Sequence, residues 1–271
     1  MTNTLTAFNS DGFSIGNASD VNNQGDTYVG WGWDAGSSTV SNTDGSITSS
    51  VRANPSAGFS IVTWTGTGSA GTIGHGLQKK PELIITKVHG DSSYSDNWPV
   101  YHPAYGAGTY MYLNSSIAAP ASYTGFFNGV EPTSNVFTVG TANSDNTKDL
   151  IAYCFTSVNQ YSSIGSFVGN GAADGPFVAL DFQPAFILIK SKDYAGNWFI
   201  YDNARHPNNP KTARIYANAS DAESAVTDDI DFLSNGFKIR TSATSTNGNG
   251  NTHIYAAFAE NPFQANGGLA R

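Results

Sequence analysis

The stretch FVGNGAADGPFVALDFQPAFILIK (167–190) decides the fold, because WTGTGSAGTIGHGLQKKPELIITK (64–87) repeats its pattern without a gap. An internal repeat is sought before anything else, since missing one leads to a wrong reading of the whole fold. Aromatic, glycine, proline and lysine positions coincide at one constant offset, so the chain contains a duplication. The matched pairs are Trp64 and Phe167, Gly66 and Gly169, Gly68 and Gly171, Pro81 and Pro184, and Lys87 and Lys190.

The likeness continues beyond these stretches and predicts the domain boundaries. NWPVYH (97–102) matches NWFIYD (197–202), and LIAYCF (150–155) matches HIYAAF (253–258). An N-terminal segment echoes only the end of this pattern, so we interpret it as the last part of a preceding repeat. The predicted parts are 1–35 as that repeat end with a strand hairpin, 36–57 as a Ser/Thr-rich connector or hairpin, 58–158 as repeat 1, 161–263 as repeat 2, and 264–271 as a C-terminal tail.

Each copy has the hydrophobic pattern of β-strands. GFSIVTW (58–64) alternates apolar and polar residues at the period of two that a half-buried strand requires. AFILIK (185–190) is a short apolar run after a proline, which is typical of an inner strand. The pattern predicts an all-β protein of tandem β-sandwich or jelly-roll-like domains. One segment, SDAESAVTDD (220–229), is predicted to form a helical turn.

Four aromatic residues recur in both copies and are therefore expected to serve the fold. They lie on the second strand of a predicted antiparallel pair, LIITK with NWPVYH and FILIK with NWFIYD. The residues are Trp98, Tyr101, Trp198 and Tyr201.

Composition excludes several classes of function. The 271-residue chain has a net charge of −8 and only 13 scattered basic residues, which argues against a nucleic-acid partner. No apolar stretch is long enough for membrane insertion, and the N-terminus lacks the pattern of a signal peptide. The expectation is therefore either a chain made in a cytoplasm or a fragment of a longer protein. The single cysteine, Cys154, excludes an intrachain disulfide and is expected to fill core space.

Candidate catalytic groups are weak. Asp228, Asp229 and Asp231 are predicted to lie in a solvated turn, and Asp231 aligns with Glu131 of the first copy, but no second acid accompanies both. The five histidines have no histidine counterparts in the other copy, and no nucleophile-elbow sequence is present. We therefore expect no enzyme, no cofactor and no bound metal; a capsule depolymerase is the weakest alternative.

A polar loop after the NWFIYD strand is the strongest candidate for a small-ligand site. An Asp and an Arg three residues apart could hold a saccharide by bidentate hydrogen bonds beside an aromatic platform. The alternative is a loop pinned by an internal Asp–Arg pair, and the sequence leaves both open. The candidate ligand-binding residues are Asp202, Arg205, His206, Asn208 and Tyr194.

The motifs together resemble a repeat family in bacteriophage tail and tail-fibre proteins. The likeness rests on SNGFKIRTS (234–242), THIYAAFAENPFQ (252–264), NWFIYDNARHPNNP (197–210) and the 167–190 stretch, and it extends from about Phe8 to Phe263. The first copy lacks the Asp-x-x-Arg string, so a site built on that string is expected in the second domain only.

The resemblance implies a receptor-binding or adhesion module in a virion tail fibre, and it carries over no catalytic residues. The implied partners are a host cell-surface receptor, either a glycan or an outer-membrane component, and other virion tail proteins. By analogy with tail fibres of this kind, the module is expected to be a homotrimer. A trimer also suits weak saccharide sites, because multivalency multiplies modest affinities. The alternative is a purely structural spacer or adaptor in the virion.

Overall fold

The computed structural model describes residues 4–90 and 97–260, with residues 226–228 described by their backbone alone. Strands hold 41 % of the chain and helices 4 %, and the sheets are antiparallel, which confirms the all-β sandwich prediction. The chain divides into two compact units, Met1–Trp33 and Asp34–Arg271. The tail expected at 264–271 lies outside the described residues.

The first unit contains one hairpin and one helical turn. Strands β1 (Leu5–Asn9) and β2 (Gly12–Ile15) are antiparallel, and the short helix α1 (Ser19–Asn22) follows. Residues 27–33 resemble the closing strand of the repeats, but they form no strand in the structure. In each repeat the closing strand is paired with a neighbouring strand on either side. The described part of the first unit has only the β1–β2 hairpin, so residues 27–33 lack two strands to pair with.

Repeat 1 and the connector before it form a two-layer sandwich. A seven-stranded sheet in the order β3-β4-β5-β11-β7-β8-β9 is covered by the two-stranded sheet of β6 and β10. The predicted connector forms the hairpin β3–β4, which extends the large sheet beside β5. The elements are β3 (Thr39–Asn42), β4 (Ser49–Asn54), β5 (Phe59–Thr65), β6 (Gly71–Gly74), β7 (Leu83–His89), β8 (Pro99–Tyr101), β9 (Met111–Tyr112), β10 (Val136–Val139), the 3-10 turn Thr141–Asn143, and β11 (Asp149–Phe155).

Repeat 2 has one continuous sheet of eight strands in the order β12-β19-β14-β15-β16-β17-β18-β13. This sheet folds back on itself, so that its two ends enclose the core. The elements are β12 (Ser162–Val168), β13 (Phe177–Ala179), β14 (Pro184–Ser191), β15 (Phe199–Asp202), β16 (Lys211–Tyr216), β17 (Ser224–Leu233), β18 (Gly236–Ile239), helix α2 (Thr244–Asn247) and β19 (Thr252–Ala259).

The two repeats have the same topology apart from one strand. The order β5-β11-β7-β8-β9 corresponds to β12-β19-β14-β15-β16, and β6 and β10 correspond to β13 and β18. An equivalent aromatic contact holds the layers together in each repeat. Trp64 meets Phe137 edge to face at 5.7 Å, and Phe167 meets Phe237 at 5.9 Å.

Strand β17 is the exception, and the predicted helical turn over 220–229 was wrong. Ile230 and Phe232 alternate with aspartates, and both are buried against the core at 1 % and 3 % exposure. Alternation at period two suits a strand and not a helix. Strand β17 pairs with β16 on one side and with β18 on the other, where Phe232 lies opposite Phe237.

The repeats pack against each other within the second unit. Trp198 is 1 % exposed, and its Nε1 donates to the carbonyl oxygen of Tyr112, 2.8 Å away in repeat 1. Phe155 and Phe258 meet edge to face at 5.9 Å across the same junction. Repeat 2 therefore contacts repeat 1 through the outer face of its strands β12, β19, β14, β15 and β16.

The recurring aromatic residues have the structural environment that was predicted, with one exception. Tyr101, Tyr201 and Trp198 are buried, whereas Trp98 is only partly buried. Cys154 is fully buried, as predicted, and burial raises the pKa of its thiol to about 12. Within residues 4–90 and 97–260, no helix has the length and apolar character to cross a bilayer.

Candidate functional site

The Asp202–Arg205 pair lies at the start of the loop between β15 and β16. Asp202 ends β15 and is 3 % exposed. Its two carboxylate oxygens accept from the backbone N–H of Arg205 at 2.8 Å and from Arg205 Nε at 2.7 Å. The guanidinium also donates to Glu223 at 2.8 Å and to the Ile200 carbonyl at 3.0 Å. Three of its five N–H donors are thus used inside the protein, which is the geometry of a pinned loop.

His206 and Asn208 continue the same loop. The His206 ring contacts the Asn208 carbonyl oxygen through Nδ1 and the Thr212 hydroxyl through Nε2, each at 3.1 Å. The Asn208 residue is exposed. Beneath them, the buried Lys211 donates from Nζ to the His206 carbonyl at 2.7 Å and lies over the Phe232 ring at 4.9 Å. These contacts fix the loop and leave the Asn208 amide as its exposed polar group.

Tyr194 lies in a different part of repeat 2. It belongs to the β14–β15 loop, at the start of β15, whereas Asp202 and Arg205 lie at its end. Its backbone carbonyl accepts from the buried Lys190 Nζ at 3.1 Å, and its side chain is 44 % exposed. The structure therefore joins four of the predicted residues in one loop and separates Tyr194 from them by the length of a strand.

The end of the pinned loop forms one wall of an open cleft of about 680 Å³. Asn209 and Pro210 supply that wall, and the opposite wall comes from β17, the end of β18 and the loop before β13. The Asn209 side chain is held in place by two bonds to the backbone of Phe232, one to the carbonyl at 2.6 Å and one from the N–H at 2.9 Å. The lining residues are Ala173, Asp174, Asn209, Pro210, Asp231 and Arg240.

Two ion pairs define the electrostatics of the cleft. Asp231 Oδ2 lies 3.4 Å from Arg240 Nε, and Asp174 lies 2.7 Å from Lys238 Nζ. The bond from Lys238 holds the pKa of the exposed Asp174 carboxyl below its ordinary value. Carboxylates and cations alternate over a partly exposed surface, and the Asp231–Arg240 contact is long. Both side chains therefore keep bonding capacity for a hydroxyl-rich ligand.

The acidic residues considered as catalytic candidates have structural partners. Tyr201 donates to Asp229 at 2.8 Å, and Arg214 Nη1 lies 2.7 Å from the same carboxylate oxygen. Asp229 and Asp231 thus lie in β17, and their predicted placement in a solvated turn was wrong. Asp229 is 5 % exposed and can be buried there because Arg214 neutralises it. The Asp228 side chain lies outside the described part of the chain.

Repeat 1 contains an equivalent set of three groups. Tyr101 donates to Glu131, and Lys80 lies 2.9 Å from the same oxygen. Partial burial favours a raised pKa for Glu131, but the bonds from Tyr101, Lys80 and a backbone N–H outweigh burial and lower it. A carboxyl with a lowered pKa does not suit a general acid. The carboxylate that accepts from the recurring tyrosine is thus Glu131 in repeat 1 and Asp229 in repeat 2, two positions before Asp231, with which Glu131 aligns in sequence.

The sequence did not reveal the cleft, because its residues are distant in the chain. Asp174, Asn209 and Arg240 come together only because β13, β17 and β18 are neighbours. The Asn-Pro step after the loop is the one local signal, since an asparagine beside a proline marks a rigid turn. Within the described residues, no three His, Cys, Asp or Glu side chains are close enough to hold a metal ion.

Comparison with known proteins identifies the family to which the chain belongs. No curated protein and no solved structure matches the chain significantly. A family model does match, over residues 1–262, which is nearly the whole length. The chain therefore belongs to the family described as the domain of unknown function DUF7483.

Proposed function

We propose that the protein is an attachment module of a bacteriophage tail fibre, which binds saccharide on the host surface through the cleft between Asn209 and Arg240. The single observation that supports saccharide binding is the geometry of the cleft, and the tail-fibre role follows from the sequence resemblance alone. It is about 680 Å³ in volume, open, and lined by carboxylate, guanidinium and amide groups around a proline. Saccharide sites need such planar polar groups, which bond adjacent hydroxyls, beside an apolar surface.

The proposal keeps the expected host receptor, the other virion tail proteins as partners and the location in the virion. It places the saccharide contacts in the cleft and not on the Asp202–Arg205 pair. The pinned loop of Asp202, Arg205, His206 and Asn208 supports the wall that Asn209 and Pro210 present. Binding through one such shallow cleft is weak, and a homotrimer in the virion raises the avidity when three clefts meet one surface. An outer-membrane component that carries a saccharide meets the same chemical requirement.

The test measures adsorption of the purified protein to a glycan array and to cells of candidate hosts. We expect Arg240→Ala and Asp231→Asn to lower retention on a bound glycan at least about tenfold, since each removes a charged hydrogen-bonding group. Lys192→Ala is the matched control, because it removes an exposed ion pair elsewhere in repeat 2. Equal retention by all variants, or no adsorption to any glycan or host, contradicts the proposal.

A structural spacer is the second candidate function, and the junction between the repeats favours it. Trp198 is buried in that junction and hydrogen-bonded across it, which couples the repeats rigidly. In virions that lack residues 161–263, normal assembly together with normal host adsorption supports the spacer. Normal assembly with lost adsorption supports attachment.

A further inference from the structure

The β1–β2 hairpin of the first unit has one apolar face. Phe8 lies opposite Phe13, and residues directly opposite each other in an antiparallel pair share a face. Leu5 lies opposite Ile15, because a bulge before Ala7 adds one residue to β1. Phe13 and Ile15 are two positions apart in β2, so all four side chains lie on one side of the hairpin. We call these four residues the hairpin face, and each of them is exposed, by 42 % to 84 %.

Repeat 2 contains the same hairpin in β17 and β18. FNSDGFSI (8–15) aligns with FLSNGFKI (232–239) without a gap, and the strand pairing has the same register. The counterparts of Leu5, Phe8, Phe13 and Ile15 are Ile230, Phe232, Phe237 and Ile239. These counterparts are at most 3 % exposed and belong to the core of repeat 2. The hairpin face of the first unit thus has the pattern of a core surface.

The cover of this surface in repeat 2 is the rest of the repeat. Phe167 of β12 meets the Phe237 ring edge to face, with centroids 5.9 Å apart, and Tyr255 of β19 meets it at 5.3 Å. Residues of β14 and β15 complete the same core, and β13 pairs with β18 at its free edge. A hairpin of this sequence is therefore covered by a sheet of the repeat type.

The first unit contains one further part of such a repeat. Residues 27–33 resemble the closing strand, and Gly30 lies against the Phe13 ring, since a Cβ there would be 3.2 Å from Cζ. Tyr255 of the closing strand β19 has the corresponding contact with Phe237 in repeat 2. In the described part of the unit, counterparts of β12 to β16 are absent. A two-stranded hairpin without such a cover is marginally stable, and an exposed apolar patch marks an interaction surface.

We propose that the hairpin face is the docking surface for a β-sheet of the repeat type that another polypeptide carries. The partner supplies the counterparts of β12 to β16, and residues 27–33 add to it as the strand that β19 forms in repeat 2. The described chain contains two such sheets, and each already has its own covering strands. Neither these sheets nor those of a second copy are therefore free to take the place.

This docking is apolar and uses backbone pairing, whereas the saccharide cleft lies on β17, β18 and the Asn209 loop and is polar. The two proposals depend on different residues, so either can fail without the other.

Thiol labelling of the full chain with Ile15→Cys tests the docking, because the native thiol of Cys154 is buried. The probe is a polypeptide with the sequence of residues 161–229, which includes β12 to β16. We expect the new thiol to react readily in the protein alone and at least about tenfold more slowly with excess probe, since reactivity requires access to solvent. Ala7→Cys is the matched control on the opposite side of the hairpin, where the residue is exposed, and its rate should not change.

A single-chain form places residues 161–229 directly before Leu5. We expect the same protection of Ile15→Cys there, and slower hydrogen exchange of the amides of residues 27–33 as they join a sheet. Adding Phe8→Asp should abolish the protection in both forms. Since Phe8 is 84 % exposed, this variant is expected to fold, and its melting curve checks that.

Three results overturn the proposal. Slow labelling of Ile15→Cys in the dilute protein alone shows that the face is already covered, and labelling that slows as the protein's own concentration rises shows that copies cover each other. Absence of protection in both forms shows that a repeat-type sheet does not fit. Protection in the single-chain form alone overturns the assignment to another polypeptide, because the sheet then docks only when it is joined to β1.

Discussion

The indole Nε1 of Trp198 donates a hydrogen bond to the Tyr112 carbonyl, 2.8 Å away and 86 positions earlier in the chain. This bond crosses from one repeat to the other, so the stability of the two repeats is coupled. Residues at equivalent positions of the two repeats therefore contribute differently to the free energy of unfolding. Trp98 and Trp198 allow a direct comparison.

Trp198→Ala is expected to lower the free energy of unfolding by about 3–5 kcal/mol, because it empties a buried site and removes the bond to Tyr112. Trp98→Ala at the equivalent position is expected to lower it by about 1–2 kcal/mol, since that indole is partly exposed. Urea unfolding of dilute protein, followed by circular dichroism, measures both. Equal losses contradict the unequal burial of the two rings.

Arg205→Ala is expected to lower the free energy of unfolding by about 3 kcal/mol, because it leaves the buried Asp202 carboxylate without its cation. Lys192→Ala removes the exposed pair with Asp193 and is expected to change stability by less than about 1 kcal/mol. Thermal melting at one pH compares the two. An Arg205→Ala variant as stable as wild type shows that the guanidinium does not pin the loop, and it revives direct ligand binding by Arg205.

Three histidines make the fold sensitive to acid. Burial lowers the pKa of His75, His102 and His253 from 6.5 to about 4. Between these pH values the unfolded chain binds more protons than the folded one, so stability is full above pH 6.5 and falls as the pH drops towards 4. Each histidine contributes on the order of 1 kcal/mol per pH unit in that window.

His253→Leu tests this effect with a residue that the chain itself uses, because Leu150 occupies the equivalent position in repeat 1. Neither ring nitrogen of His253 has a hydrogen-bond partner among the described residues. The variant is expected to be at least as stable as wild type at pH 7 and to lose less stability at pH 4.5. Melting temperatures at the two pH values decide it, and an unchanged pH dependence contradicts the assignment.

Gly169→Ala is expected to destabilise the protein by about 1–3 kcal/mol, because a Cβ there overlaps the carbonyl oxygen of Gly248. Gly66→Ala is expected to do the same in repeat 1, where the overlap is with the Asp145 carbonyl. Gly108→Ala is the control, since its Cβ meets nothing within 4 Å. Denaturant titration checks whether both matched glycines, and not Gly108, are intolerant of a side chain.

The strands that were predicted correctly are those whose pattern is local. Strands β5 and β12 alternate apolar and polar residues because one face of each is buried. Strands β7 and β14 are continuous apolar runs because both faces are covered, and the sequence shows both patterns directly. Strand β17 was missed because its first part, within SDAESAVTDD (220–229), is mostly polar, and the alternation of Ile230 and Phe232 with aspartates begins only at the end of that segment. The burial of Asp229 depends on Tyr201 and Arg214, which are distant in sequence.

The candidate site was predictable only in part. An Asp and an Arg three residues apart have the same spacing whether they bind a ligand or each other, so the sequence could not decide between the two roles. The geometry at Asp202 favours the pinned loop. The cleft beside it depends on strand neighbours that no local pattern specifies, and Asn209 was passed over in favour of its neighbour Asn208.

Strand β17 has a further consequence for the motions of the two repeats. In repeat 2 it connects β16 to β18, so a backbone ladder runs without interruption from one layer to the other. In repeat 1 the layer of β6 and β10 contacts the β3–β4 hairpin through one isolated bridge, between Ile47 and Ile73, and is otherwise held by side-chain packing. Local opening needs fewer broken bonds there, so the amide protons of β6 and β10 should exchange with deuterated solvent before those of β13 and β18.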